Sequence, residues 1–154
     1  MLPLLSTINR VIQRLPATVK SFAHALRAAG PLAARSDAGL HIVPTDQIVG
    51  SLSRAQELRP DFTFKRGPAL TARHRRIARA MRAGQPLPPL ELYALTVRGA
   101  GPERLERREY YVVDGHHRVA MARRLGQDFV DAHVVEYRVA EARAGAHPGG
   151  LPQT

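Results

Sequence analysis

The residues best equipped for chemistry stand together in "YVVDGHHR", residues 111–118. An apolar run stops at an Asp-Gly turn, and two histidines and an arginine follow where a helix begins. The start of a helix carries free N–H groups and the positive end of the macrodipole, so each added positive charge there costs roughly 0.3–1 kcal/mol. A bound anion reverses that sign. Phosphate would accept from the first-turn amides while His116, His117 and Arg118 add side-chain donors. Asp114 is positioned by sequence to cap the helix, and Gly115 permits a tight turn with close backbone approach. The plainer alternative is an ordinary strand-to-helix junction with solvated histidines. Metal ligation by the histidine pair is not expected, because adjacent helical residues diverge by about 100° and no HxxxH or HxH spacing is present.

Elements on both sides must hold this stretch in place. "YYVV" reads as a strand, "HHRVAMARRLG" as a helix ended by Gly126, and "DFVDAHVVEYRV" as a final strand. Upstream, "LHIV" is a short strand followed by the turn and cap residues of "PTDQIVGSL". "ALTARHRRIARAMRAG" predicts a helix with Leu70, His74, Ile77 and Met81 on one stripe, closed by Gly84. "LPPLELYALTV" alternates Leu90, Leu92 and Ala94 against Glu91, Tyr93 and Leu95, a strand pattern, and "RGAGPERLERRE" reads as a charged loop. The expected fold is α+β: a small mixed β-sheet with packed helices, preceded by an N-terminal helical arm.

At 154 residues the chain has the length of one domain, and no apolar stretch is long enough to span a bilayer. The absence of cysteine excludes disulfides, thiolate metal sites and cysteine nucleophiles, and fits a cytoplasmic protein. The net charge of +10 favours polyanionic partners, although an arginine-rich composition with only Lys20 and Lys65 as lysines also fits a GC-rich genome. Arg73, Arg75, Arg76, Arg79 and Arg82 could form a phosphate-contacting face on their helix, or simply a solvated one.

Residues 1–36 are expected to form an amphipathic helical arm and linker, residues 39–139 the domain, and residues 140–154 a disordered tail. Leu4, Ile8, Val11, Ile12, Leu15, Val19, Phe22 and Leu26 recur with helical period, Pro16 should kink the pattern, and "AGPLAARSDAG" reads as linker. The stripe would pack on the domain or pair with a second copy in a homodimer. An acid-free, arginine-bearing N-terminus is also the composition of a transit peptide or a membrane-surface helix.

"YYVVDGHHRVAMARRLG" resembles the signature of the ParB/sulfiredoxin superfamily, in which a strand, a Gly-containing turn and a helix cradle nucleotide phosphates. The similarity extends through "IVPTDQIVGSLSRAQEL" and "RIARAMRAGQPLPPLELYAL", from about Leu40 to Tyr137. It implies a ParB/sulfiredoxin-like fold and a nucleotide pocket formed by Gly115, His116, His117, Arg118 and Arg54. His116 stands at the place of the sulfiredoxin cysteine, so sulfiredoxin chemistry is excluded. With little chain after Val139, the helix-turn-helix and dimerisation domains of chromosome-partitioning ParB are not expected, and the usual glutamate of the turn is absent.

Three functions follow from this reading. The first is a regulatory or partner-binding module that holds ATP, ADP or CTP, with or without magnesium. The second is a small phosphotransferase or NTPase, similar to free serine kinases. In it Asp114 or Glu57 would be base or magnesium ligand, with His116 and His117 neutralising developing charge. The third is a nucleic-acid binder or ParB-like nuclease using the arginine helix, although clustered carboxylates for two metals are lacking.

Overall fold

A computed structural model describes residues 17–68, 70–98 and 106–140. In chain order the elements are β1 (Lys20–Ser21), α1 (Phe22–Ala29), β2 (Leu32–Pro44), β3 (Ile48–Ser51), α2 (Ala72–Arg82), β4 (Leu90–Arg98), β5 (Glu106–Asp114), α3 (His116–Arg124) and β6 (Phe129–Val139). Single 3-10 turns at Thr45–Gln47 and Ala55–Glu57 flank β3. The six strands form one sheet in the order β1-β3-β5-β4-β6-β2. The β1/β3, β3/β5 and β4/β6 pairs are parallel, and β4/β5 and β2/β6 are antiparallel. The domain is therefore α+β around a mixed sheet, as expected. No helix among the described residues is long and apolar enough to cross a membrane.

Strand alternation builds two cores. Leu90, Leu92 and Ala94 of β4 join Val112, Val130, Ala132 and Val134 on one face, beneath Val119, Ala120 and Ala122 of α3. Met81 of α2 packs against the same cluster. On the other face, Leu95, Tyr111 and Tyr137 enclose Phe22 of α1. The Phe22 ring meets Tyr93, Tyr111 and Tyr137 edge-on at 5.3, 5.3 and 5.0 Å between centroids, the arrangement aromatic quadrupoles favour.

The N-terminal segment departs from the sequence reading. Residues 1–16, with Leu4, Ile8, Val11, Ile12, Leu15 and Pro16, lie outside the described residues, as does 141–154. In the described part, the helix does not run continuously up to residue 26. Lys20 and Ser21 pair with Gly50 and Ser51 as a short parallel strand, and Ser21 caps a new helix by accepting from the His24 amide. Gly50 allows this strand to approach, because a Cβ there would sit 2.3 Å from the Lys20 carbonyl oxygen. The stretch read as linker is also corrected: "LAARSDAG" is the first part of β2, paired with β6 from Leu32↔Val139 to Pro44↔Phe129. An edge strand of mostly exposed Ala, Arg, Ser and Asp has no apolar alternation for the sequence to display. Its ladder to β6 overrides local propensity. Likewise Glu106–Glu109, read as loop, belong to β5, paired with Leu95 to Arg98 of β4.

Glu109 ties the N-terminal segment to the sheet. Its side chain, in a residue only 5% exposed, accepts from Lys20 Nζ (2.8 Å), Arg107 Nη2 (2.7 Å) and the Tyr111 hydroxyl (2.7 Å). Burial pushes the carboxyl up, but the Lys20 and Tyr111 hydrogen bonds and the Lys20 and Arg107 charges outweigh it and hold it below the ordinary range. The fully buried Tyr111 phenol is raised by burial and by donating to this carboxylate. Glu109→Ala should therefore cost about 1–3 kcal/mol by orphaning that hydroxyl. Glu109→Gln, which keeps an acceptor, should cost less. A depressed carboxylate stabilises the fold above its unfolded pKa of about 4.3 and loses that contribution as pH falls through the lower folded value. Urea unfolding across this window should show a shallower acid loss for Glu109→Gln than for the native chain.

Candidate functional site

β5 ends at Asp114, and Gly115 turns the chain at φ 106°, ψ 26° into α3. A side chain at Gly115 would be strained by this backbone, and its Cβ would lie 2.2 Å from Leu90 Cδ2. The close approach foreseen for this glycine is thus already made within the protein, against β4. Asp114 does not cap the helix. Gly115 takes the N-cap position, and no side chain bonds back to the first turn. By contrast, Ser21 caps α1, and Thr71 caps α2 in a capping box completed by His74. The first turn of α3 also has no acidic residue. Among the described α-helices, α3 is the one without a side-chain cap at its start.

The histidines differ from the solvated, cationic pair envisaged at this turn. His116 is buried, with its Nε2 2.8 Å from Ser51 Oγ, which also accepts from the Arg54 amide at 3.1 Å. Burial lowers the His116 pKa, helped by the Arg54 charge and opposed by Asp114 and Glu57. His117 is pushed down to about 4, by burial first and then by its neighbours His74, Arg73, His116 and Arg54. Both rings are therefore neutral near pH 7, and the helix start carries less positive charge than the sequence suggests. Seeing this required the register: β3 lies parallel to β5, and Ser51 stands opposite Val112.

His117 opens onto a cleft of about 750 Å³, lined also by Arg54, Glu57, Phe64, Lys65 and Arg66. A row of flat groups runs inward from this wall. The Arg54 guanidinium lies 4.6 Å from the Phe64 ring centroid, Phe64 lies 5.3 Å from His117, and His117 lies 4.5 Å from His74. Arg54 also donates to Glu57 at 2.6 Å, which holds the Glu57 carboxyl below its ordinary range. Sequence reading found Arg54, Glu57 and His117 but missed Phe64, Lys65, Arg66, Ser51 and the role of His74. "FTFKRG" carries an aromatic beside two cations, a usable signal, yet nothing local says that this loop folds back. A bridge from Leu58 to Phe64 and Arg59 hydrogen bonds to the Phe64 and Lys65 carbonyls bring it there.

Other expected site residues lie elsewhere. Arg118 does not line this cleft; its guanidinium donates to the Pro88 carbonyl, and burial lowers its pKa. Asp114 is exposed at the end of β5, opposite Glu91. Arg73, Arg75, Arg76, Arg79 and Arg82 are all exposed on α2, while His74 and Ala78 of that helix are buried. Among the described residues no group of three or more His, Asp or Glu side chains could hold a metal ion.

Fold and cleft together define an α+β domain with a basic pocket beside a strand–glycine–helix junction. No known family profile matches the chain. No curated protein matches it either. Among solved structures it is similar to a Pnob8-like ParB-N domain in its C2221 form, at 13% identity and a TM-score of 0.39. The match covers 70% of this chain and 32% of the other, so the chain spans about a third of that structure's length.

The buried histidines give the fold a pH dependence of definite sign. His74, His116 and His117 all have lowered pKa values, so between about 6.5 and 4 the unfolded chain binds protons that the folded chain refuses. Stability should be complete above about pH 6.5 and fall as pH drops through that window. Urea midpoints measured from pH 7.5 to 4 should decline, and His117→Gln should flatten the decline.

Proposed function

We propose that the chain is a nucleotide-binding module that takes phosphates in the cleft at the start of α3 and serves a regulatory or partner-binding role. The observation that carries this reading is the pairing of an uncapped helix N-terminus with a basic cleft reaching it at His117. Helix-start amides and the macrodipole favour phosphate, and Arg54, Lys65 and Arg66 add charge against the carboxylate of Glu57. The Arg54–Glu57 pair is exposed, with side chains 48% and 56% accessible. Solvent screens such an exposed pair, so a phosphate could readily take Arg54 from Glu57. A volume of about 750 Å³ suits a ligand of nucleotide size, and Phe64 offers a ring for base stacking. The sequence resemblance to the ParB/sulfiredoxin signature points the same way.

Glu57 is the carboxylate on the cleft, which suits a magnesium ion brought in on the phosphates rather than one held in a protein cage. The same carboxylate favours a second reading, a small phosphotransferase in which Glu57 accepts the proton of the attacking hydroxyl. Turnover of ATP with release of ADP or transfer to an acceptor would distinguish the two.

Thermal shift and calorimetry with ATP, ADP, CTP, GTP and a short DNA duplex, each with and without magnesium, test the proposal. A nucleotide at 100 times its Kd should add about 2.7 kcal/mol of stability. Lys65→Ala and Arg66→Ala should each weaken binding about tenfold, the loss of one charge-assisted contact. Replacing Arg75, Arg76, Arg79 and Arg82 on α2 should leave nucleotide affinity unchanged. A response to DNA alone, abolished by those α2 replacements, would overturn the reading in favour of nucleic-acid binding.

A further inference from the structure

His74 has a geometry that capping alone does not explain. Its Nδ1 accepts from the Thr71 amide at 3.0 Å and lies 2.9 Å from the Thr71 hydroxyl, while the His74 amide reaches Thr71 Oγ1 at 3.4 Å. This is a capping box with an imidazole where Glu or Gln ordinarily stands. Because Nδ1 accepts from the Thr71 amide, the neutral ring must carry its proton on Nε2. The residue is 1% exposed, and Nε2 has no hydrogen-bond partner. Glutamine would complete the same cap with an ordinary side chain. A buried donor without an acceptor is costly and rare in native folds, so a histidine here calls for a second role.

The ring packed against it supplies that role. His117 lies 4.5 Å away, centroid to centroid, with the planes tilted by 52°. His117 is in turn the side chain by which α3 reaches the cleft. His74 is held by its Thr71 contact, so the ring free to adjust is His117, whose terminal torsion is broad. We propose that His74 is a positioning residue: its Nε2–H donates to one ring nitrogen of His117, so that the other His117 nitrogen carries the proton and presents a neutral N–H donor to a phosphoryl oxygen in the cleft. The orienting chain runs from the Thr71 amide through His74 and His117 to the ligand, and no proton changes place along it. A neutral donor suits this position, because an imidazolium beside Arg54, Arg73 and the helix start would be opposed by those positive charges. Burial already holds both rings on the neutral side, with His117 titrating near 4.

The inference rests on the phosphate reading of the cleft, and the two can fail separately. Imidazole ¹⁵N spectra of the full chain at pH 7 read the tautomers directly. In the native protein His117 should hold one neutral tautomer, and the His74 Nε2–H proton should be protected from exchange. His74→Leu should mix the His117 tautomers and weaken ATP binding about tenfold. His74→Gln should restore both, since its amide can accept from Thr71 and donate onward. Mixed His117 tautomers in the native protein, or a single tautomer unchanged in His74→Leu, would overturn the positioning role. ATP titration followed at the amides of residues 115–117 judges the other reading: no shift in the native protein removes phosphate from the cleft, whatever the tautomers show.

Discussion

The parallel pairing of β3 with β5 is the constraint on which the candidate site depends. Parallel neighbours end at the same edge of a sheet, so the segments that follow them emerge side by side. After Ser51 the chain enters the Arg54–Glu57 turn, and after Asp114 it enters α3. The Ser51 hydroxyl fastens the two by meeting His116 Nε2 on one side and the Arg54 amide on the other. With that contact made, the loop carrying Phe64, Lys65 and Arg66 closes the third side of the cleft. β1 and Glu109 secure the outer flank of β3, and Arg123 donates to the Ile48 carbonyl from beneath. Arg123 also stacks 5.0 Å from the Phe62 ring, which anchors the loop where Phe62 adopts φ 68°.

The chemistry of the junction is less cationic than its letters imply. Two histidines at a helix start read as positive donors, yet packing against Phe64, Ser51 and α2 keeps both neutral. The positive charge of the cleft comes instead from Arg54, Lys65 and Arg66, which solvent can reach and a ligand can recruit. This division has a physical logic. Buried groups fix geometry and gain nothing from charge, while exposed groups provide long-range attraction at little cost to the fold.

Much of this was legible in the sequence where pattern is local. The alternation of Leu90, Leu92 and Ala94, the apolar run of β5 and the helix of residues 116–124 all stand where periodicity placed them. Of β2, "LHIV" was legible and the part before it was not, because an exposed edge segment of Ala, Arg, Ser and Asp has neither propensity nor alternation. The start of α1 at Ser21 was hidden within a longer helical pattern. In the site, the DGHHR turn was evident, but its contents were redistributed by tertiary contacts. Asp114 lost the cap to a left-handed Gly115, Arg118 turned to Pro88, and His74, on the buried face its stripe implied, met His117. Each change depends on which element lies opposite, and that is information a single element cannot carry.

The central claim is that the first turn of α3 and the cleft beside it hold phosphate. A crystal structure of the full chain grown with ATP tests it most directly. The account predicts phosphate oxygens within about 3 Å of the amides of residues 115–117, as hydrogen bonding requires, with the Arg54 guanidinium moved from Glu57 onto the ligand. ATP bound only along the exposed arginines of α2, with Arg54 still paired to Glu57 and water at the first turn, would contradict it.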